Sequence, residues 1–437
     1  MKIKNNKDLY KYAKLIIPGG TTLFSKRSEL HLPNKWPAYF SKSKNINVWD
    51  LNGVKYLDMF CAVGTSILGY SNDKVNNSVQ NNIIKGNLTT LNCPEEVLLA
   101  EQIIKHHTWA SMAKFTRGGG EANAVAIRIA RSCTKNKNVA FCGYHGWHDW
   151  YLSVNLKGKE KLSKHLLKGL EPAGVPKSLK DSVHPFTYGN YQELLKIVNS
   201  KNIGTIKMEV SRGSLPDVKF LKKVRKLATK KKIVLIFDEC TSGFRRCLGG
   251  LHMKYKVYPD IAMFGKALGN GFAITSVIGK KSVMQKAGNS FISSTFWTER
   301  IGFAAGIETL KLMKEKKSWE KIIKNGKYFN SMILKLALKH NVKINISGIE
   351  SIAAFNFISK KNVAYKTFIT QEMLKKKYLA SNLIYLSIYH TKSIVNKYIK
   401  DLDPIFKKIS TFEKNNTNIK KFIKNEVCHQ TFQRLNS

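Results

Sequence analysis

Two side chains in this sequence have the type and setting for carbonyl chemistry. The apolar run IVLIF (233–237) reads as a strand buried on both faces, and it delivers Asp238 and Glu239 at its C-terminal end. In open α/β sheets that end is where ligands bind. Further along, the short apolar stretch IAMF (261–264) delivers Lys266 inside GKALGNGF (265–272), among Gly and Ala that leave room for a bulky group beside its amine. A carboxylate from one strand end facing a lysine from another meets the needs of pyridoxal phosphate, whose aldehyde takes a lysine as a Schiff base and whose ring nitrogen takes an acid. Each residue alone has a plainer reading. Asp-Glu after a strand is usually a turn or a helix N-cap, and a lysine is usually a solvated charge. Agreement between independent features is what favours the cofactor.

FTRGGGEANAVAIRIAR (115–131) supplies such a feature: a strand end, three glycines (Gly118, Gly119 and Gly120), then apolar positions at three-to-four spacing. Glycines let a phosphate approach the backbone, and the following helix N-terminus offers free N–H groups and a positive dipole end. A glycine run alone reads equally as a flexible loop. YHGWHDWY (144–151) packs two histidines and four tyrosine and tryptophan rings around one glycine after the strand VAFC. It suits stacking on a flat cofactor through Tyr144, or burial as an aromatic patch between lobes or subunits. STFWTE (294–299) places Ser294, Thr295 and Thr298 ahead of a helix, as N-caps or as phosphate ligands, including ligands to a neighbouring subunit's phosphate.

The elements that must hold these groups follow from periodicity. INVWDLNGVKYLDMF (46–60) reads as a hairpin turning at Asp50-Leu51-Asn52-Gly53. Between about 95 and 315, strands at 113–116, 139–142, 204–209, 233–237, 261–264 and 274–278 interleave with helices at 96–106, 121–133, 191–199 and 218–231. This alternation defines an α/β large lobe. A helix over 300–315 leads to an αβ stretch, 319–412, with 341–348 and 351–358 as paired strands of a smaller lobe. The basic tail 413–437 shows little periodicity and is expected to lie on the surface.

A chain of 437 residues, 43% hydrophobic, can bury a large core. No secretory signal is visible, and apolar runs fall short of the roughly 20 residues needed to cross a bilayer. The seven cysteines form no CxxC pair and no zinc spacing, so no metal is expected and the thiols suit a reducing cytoplasm. A net charge of +45 would suit a basic nucleic-acid-binding protein, but the lysines are spread evenly and no helix-turn-helix, RNP or finger motif accompanies them. Neither nucleic acid nor membrane is expected as a partner. A nucleotide-binding oxidoreductase would need GxGxxG at the glycine loop, which is absent.

In order along the chain, IPGG (17–20), GGEA (119–122), YHG (144–146), the glutamate of IKMEV (206–210), FDECTSGFR (237–245), FGKALGNG (264–271) and STF (294–296) resemble the class III, fold-type-I pyridoxal-phosphate aminotransferases, within them the glutamate-1-semialdehyde aminomutase-like group. The resemblance covers about residues 15 to 410. It implies a large domain (61–310) around a mostly parallel seven-stranded sheet, and a smaller α+β domain built from an N-terminal segment (1–60) and a C-terminal one (311–412), followed by the tail (413–437). It implies Lys266 as the Schiff-base lysine, Asp238 as partner of the ring nitrogen, and Tyr144 and Cys240 on the two ring faces. His145 and Glu209 would support the ring site. Gly118, Gly119 and Gly120 would form the phosphate cup, with Thr295 reaching the phosphate of the second subunit of a homodimer. Two departures bear on substrate. Gly118 and Gly120 stand where the aminomutase has hydroxyl side chains, and STFWTER (294–300) replaces its GTLSGNP. The aminomutase's carboxylate-binding arginine falls on Lys26, beside Arg27, and these with Trp147 are the candidate substrate contacts. STFWTER favours an intermolecular aminotransferase acting on a small-molecule amino donor and a carbonyl acceptor. The alternative is an intramolecular shift to 5-aminolevulinate.

Overall fold

The computed structural model describes residues 5–158, 160–163, 165, 168–211 and 213–430. They divide into two units, one within Met1–Asn72 and Lys321–Ser437, the other within Asp73–Glu320.

In the first unit, strands β1 (Phe40–Lys44), β2 (Asn47–Asp50) and β3 (Lys55–Asp58) pair antiparallel in sequence order. The β2–β3 hairpin forms where its turn residues place it. The Asp50 carboxylate accepts the amides of Asn52 and Val54, each at 2.9 Å, in the side-chain-to-backbone turn that aspartate favours.

The second unit carries β4 (Met112–Thr116), β5 (Val139–Cys142), β6 (Val183–Pro185), β7 (Thr205–Glu209), β8 (Val234–Asp238), β9 (Ile261–Phe264) and β10 (Thr275–Gly279). They form one sheet in the order β4-β10-β9-β8-β7-β5-β6, in which only β10 runs against its neighbours. Six of the seven strands are legible as apolar runs. The seventh, β6, is three residues long and ends in Pro185, which a sheet edge tolerates because no further ladder bond is required of it.

Every residue of β5, β8, β9 and β10 is buried, the reason their sequences are unbroken rather than alternating. The helix Gly119–Thr134 crosses one face. Its Ala122, Val125, Ala126 and Ile129 pack with Phe141, Ile236, Ile261, Met263 and Val277. The helices Tyr191–Lys201 and Val218–Lys230 cover the other face, where Leu194, Phe220 and Val224 meet Ile206, Met208, Leu235 and Phe237. Each fully buried side chain of this size contributes about 1.5–3 kcal/mol relative to exposure.

The rest of the first unit holds β11 (Ile344–Ile349) and β12 (Ile352–Phe357), antiparallel as their patterning requires. β13 (Tyr378–Leu379) joins β3 in parallel, and β14 (Leu383–Tyr385) extends the β11–β12 sheet. Gly348 at φ +96° is obligatory there, since a Cβ would fall 2.0 Å from the Ile352 carbonyl oxygen.

The tail departs from expectation. Beyond the helix Lys392–Lys414 it does not simply lie on the surface: Ile419, Ile423 and Cys428 are buried, and the Cys428 amide donates to Thr367 Oγ1 at 3.0 Å. Three isolated apolar residues suffice to dock a segment too short for periodicity to register. Residues 431–437 of the tail lie outside the described residues. No helix among the described residues is long and apolar enough to cross a membrane.

Candidate active site

Strand register gathers the site. Thr275 lies beside Thr116, Phe264 beside Ser276, Met263 beside Asp238, and Asp238 beside Glu209. The loops after β4, β5, β7, β8 and β9 therefore leave the same edge of the sheet, the C-terminal edge used by ligands in open α/β folds.

Lys266 leaves that edge one residue after Gly265. A Cβ on Gly265 would stand 2.9 Å from Thr275 Cγ2, so only glycine fits, and Lys266 itself takes a left-handed φ of +44°. A non-glycine residue held there stores about 1–3 kcal/mol of strain, of the kind that collects at functional sites. Its Nζ donates to Thr241 Oγ1 at 2.7 Å. Burial pushes the ammonium below the ordinary lysine value; the nearby Cys240 opposes this and Arg245 adds to it.

Asp238 closes β8 at 5% exposure. Its Oδ2 accepts from His145 Nδ1 at 2.8 Å and its Oδ1 from the Cys240 amide at 3.1 Å. Burial alone would raise its pKa, but the His145 bond, with the Lys207 charge behind it, outweighs that and holds the carboxyl well below its usual range. His145 is fully buried, and its Nε2 faces the Cys142 carbonyl at 3.1 Å.

Tyr144, Glu209 and Cys240 stand near Asp238. The Tyr144 amide donates to Glu209 Oε2 at 3.1 Å, and burial, with Asp238 nearby, raises the Tyr144 phenol. Cys240 lies under the glycine loop: a Cβ on Gly119 or Gly265 would come within 3.8 or 3.4 Å of its Sγ. Thr295 lies exposed in the turn Thr295–Thr298. That turn is fastened to the cup, because Arg117 donates through Nε to the Phe296 carbonyl at 3.0 Å and through Nη2 to that of Glu299 at 2.6 Å.

The three glycines of the cup are not equivalent. The Gly118 amide donates to Glu121 Oε2 at 2.8 Å, as the Arg117 amide does at 3.0 Å, so Gly118 is committed to capping the helix. The amides of Gly119 and Gly120 belong to the first helical turn, which has no carbonyl four residues back to bond. At Gly120 a Cβ would meet Trp147 Nε1 and His148 Nε2, each at 3.3 Å. Lys26 and Arg27 belong to the first unit, where Lys26 is exposed and Arg27 lies over the Phe24 ring and against Gly19.

Sequence reading missed Thr241, Glu121, Arg117 and Lys207. Thr241 sits inside FDECTSGFR and Glu121 inside GGEA, but which atom each one meets is a property of the loops' geometry.

A buried amine whose charged form is disfavoured, a buried carboxylate, an exposed aromatic residue and amides at a helix N-terminus match the aldehyde, ring nitrogen, ring face and phosphate of pyridoxal phosphate. The family model described as Aminotransferase class-III matches residues 32–394. The chain is 30% identical to a 3-aminobutyryl-CoA aminotransferase of Cloacimonas acidaminovorans over 89% of its length and 92% of that protein's. It is 29% identical to the glutamate-1-semialdehyde 2,1-aminomutase of Methanocaldococcus jannaschii over 93% of its length and 99% of that enzyme's. Among solved structures, the PLP internal aldimine form of the Sphingopyxis sp. MTA144 FumI protein superposes with a TM-score of 0.85 at 22% identity, covering 97% of this chain and 99% of that one. An omega-transaminase from Sphaerobacter thermophilus superposes at 0.82 and 20% identity, covering 93% and 98%. Fold and site together define a pyridoxal-phosphate-dependent transferase of fold type I. The chain belongs to the class-III aminotransferases, whose cofactor is pyridoxal phosphate.

Proposed function

We propose that this protein is an intermolecular aminotransferase of small molecules in which Lys266 carries the cofactor and Asp238 partners its ring nitrogen. The observation that supports this most strongly is the placement of the Lys266 amine and the His145-bound Asp238 carboxylate at the ends of adjacent strands β9 and β8. Pyridoxal phosphate, when bound, supplies an aldehyde carbon for amines and a ring that accepts electrons. Lys266 would hold it as a Schiff base and, once released, hold and move the proton at the substrate carbon, a task that burial favours by disfavouring its charged form. Asp238, held ionised, keeps a proton on the ring nitrogen. Tyr144 and Cys240 would flank the ring, with His145 and Glu209 behind them. Gly119 and Gly120 would receive the phosphate, with Trp147 beside Gly120 as the candidate substrate contact.

A homodimer in a reducing cytoplasm completes this reading. Ile83, Ile84, Leu91, Val97 and Leu98 are exposed within one stretch, as are Phe291 and Phe296 flanking Thr295, and an apolar surface of this kind suits a second copy whose phosphate Thr295 reaches. Among the described residues no cysteine forms a disulfide.

STFWTER at 294–300 is what favours transfer over an internal shift, while aminomutases among the relatives favour the second reading. The purified protein is incubated with glutamate-1-semialdehyde alone, and separately with amino donors, including 3-aminobutyryl-CoA, plus a keto acid. Amine transfer only in the paired reaction supports the proposal. 5-Aminolevulinate formed without a co-substrate replaces it with the mutase reading.

A further inference from the structure

Lys207 occupies a position where the sheet otherwise carries apolar side chains. It lies in β7 opposite Phe141 of β5 and Ile236 of β8, so it shares their face, with Asp238 two residues beyond Ile236 on that same face. That face is the core beneath the helix Gly119–Thr134, whose side chains there are Ala122, Val125, Ala126 and Ile129. Lys207 is 0% exposed. Its Nζ bonds to Met263 Sδ at 3.0 Å, a weak acceptor that does little to compensate a buried charge. The groups that can do so are Asp238, Cys240 and Glu209, with His145 beyond Asp238. Burial pushes Lys207 down to about 8, and Asp238 is the largest influence holding it up, which leaves it an ammonium at neutral pH.

His145 competes for the same anion. Both of its ring nitrogens face oxygen acceptors, Asp238 Oδ2 at 2.8 Å and the Cys142 carbonyl at 3.1 Å, an arrangement that invites two ring protons. Burial, and then the Lys207 charge, work against the second.

We propose that Lys207 is a positioning residue: its buried ammonium shares the negative charge of Asp238 and so displaces the second proton from His145. Asp238 then stays a full anion toward the cofactor pocket instead of one half of an imidazolium pair. This consequence rests on Asp238 as the ring-nitrogen partner, but the charge arrangement does not.

The test is a pH titration of the His145 ring, followed by NMR on the full-length, histidine-labelled protein with and without pyridoxal phosphate. The signal is assigned by its loss in His145→Gln. In the wild type the ring gives up its second proton below the ordinary 6.5. In Lys207→Met, which keeps the length and apolar stem, the midpoint rises by about one pH unit or more, and Lys207→Gln does the same because charge rather than size is removed. A role in packing alone would leave it unmoved. An unchanged midpoint in folded variants overturns the proposal. So does a wild-type His145 that holds both protons up to about pH 8, a result that needs no variant to fold. The apoprotein arm does not involve the cofactor, so failure there leaves the proposed function standing.

Discussion

Lys266 Nζ and Thr241 Oγ1 lie 2.7 Å apart although the two residues are 25 apart in the chain. The hydroxyl accepts from the amine and holds it at the pocket, while the left-handed backbone at Lys266 fixes the direction from which it enters. Loss of the amine and loss of its acceptor therefore have different consequences. Lys266→Ala yields a folded protein that lacks the aldimine absorbance with added pyridoxal phosphate and has no turnover. Thr241→Ala remains yellow but captures the cofactor about tenfold more slowly, the effect of removing one hydrogen bond to a charged group. Absorbance spectra and stopped-flow capture rates separate the two.

Capture should also depend on pH in a defined direction. The folded Lys266 amine loses its proton below the ordinary value of 10.5. The rate at which apoprotein takes up pyridoxal phosphate rises with pH with a midpoint below 10.5. A midpoint at or above that pH would mean that burial does not act on this amine.

Asp238 links the site to acid stability. Its folded pKa lies below the unfolded value of 3.8, so the stability it contributes is present above 3.8 and is lost as pH falls below that value through the folded pKa. Asp238→Asn flattens that acid arm of the unfolding curve. It costs about 3 kcal/mol at neutral pH by leaving His145 and Lys207 without their anion, and lowers turnover by about 10²- to 10⁴-fold. Chemical denaturation at a series of pH values measures the first two effects.

Glu121 ties the cup together: Oε2 takes the amides of Arg117 and Gly118, and Oε1 takes Trp297 Nε1 at 3.2 Å. Glu121→Ala is expected to cost about 1–3 kcal/mol of stability and to weaken cofactor binding about tenfold, with Glu121→Gln recovering part of both. Fluorescence titration of the apoprotein with pyridoxal phosphate gives the affinity.

Gly146→Ala tests how tightly the aromatic loop sits on the cup. At φ +92°, with a new Cβ 2.9 Å from Gly120 Cα, the substitution must move backbone. About 1–3 kcal/mol is lost, and cofactor affinity falls with it if Gly120 receives the phosphate as proposed. Equal affinity in a destabilised variant would place the phosphate elsewhere.

Asp238 and Lys266 were legible because a central parallel strand is a continuous apolar run, and the residue that ends such a run stands at the ligand edge. The same logic could not choose between Asp238 and its neighbour Glu239. In the structure Glu239 turns the other way, accepting from Ser242 Oγ, the amides of Leu251 and His252, and His252 Nδ1, and so pins the loop after β8. Likewise GGG reads as three equal amides until Glu121 folds back on the first.

Local patterning thus determined the α/β class, most of the strands and the candidate reactive side chains, because burial on both faces and the room around a lysine are written into neighbouring residues. Tertiary structure decided what those side chains meet: Thr241 under Lys266, His145 and Lys207 beside Asp238, the docking of the tail. Those partners come from strands and loops far apart in sequence, and only the register between strands brings one opposite another.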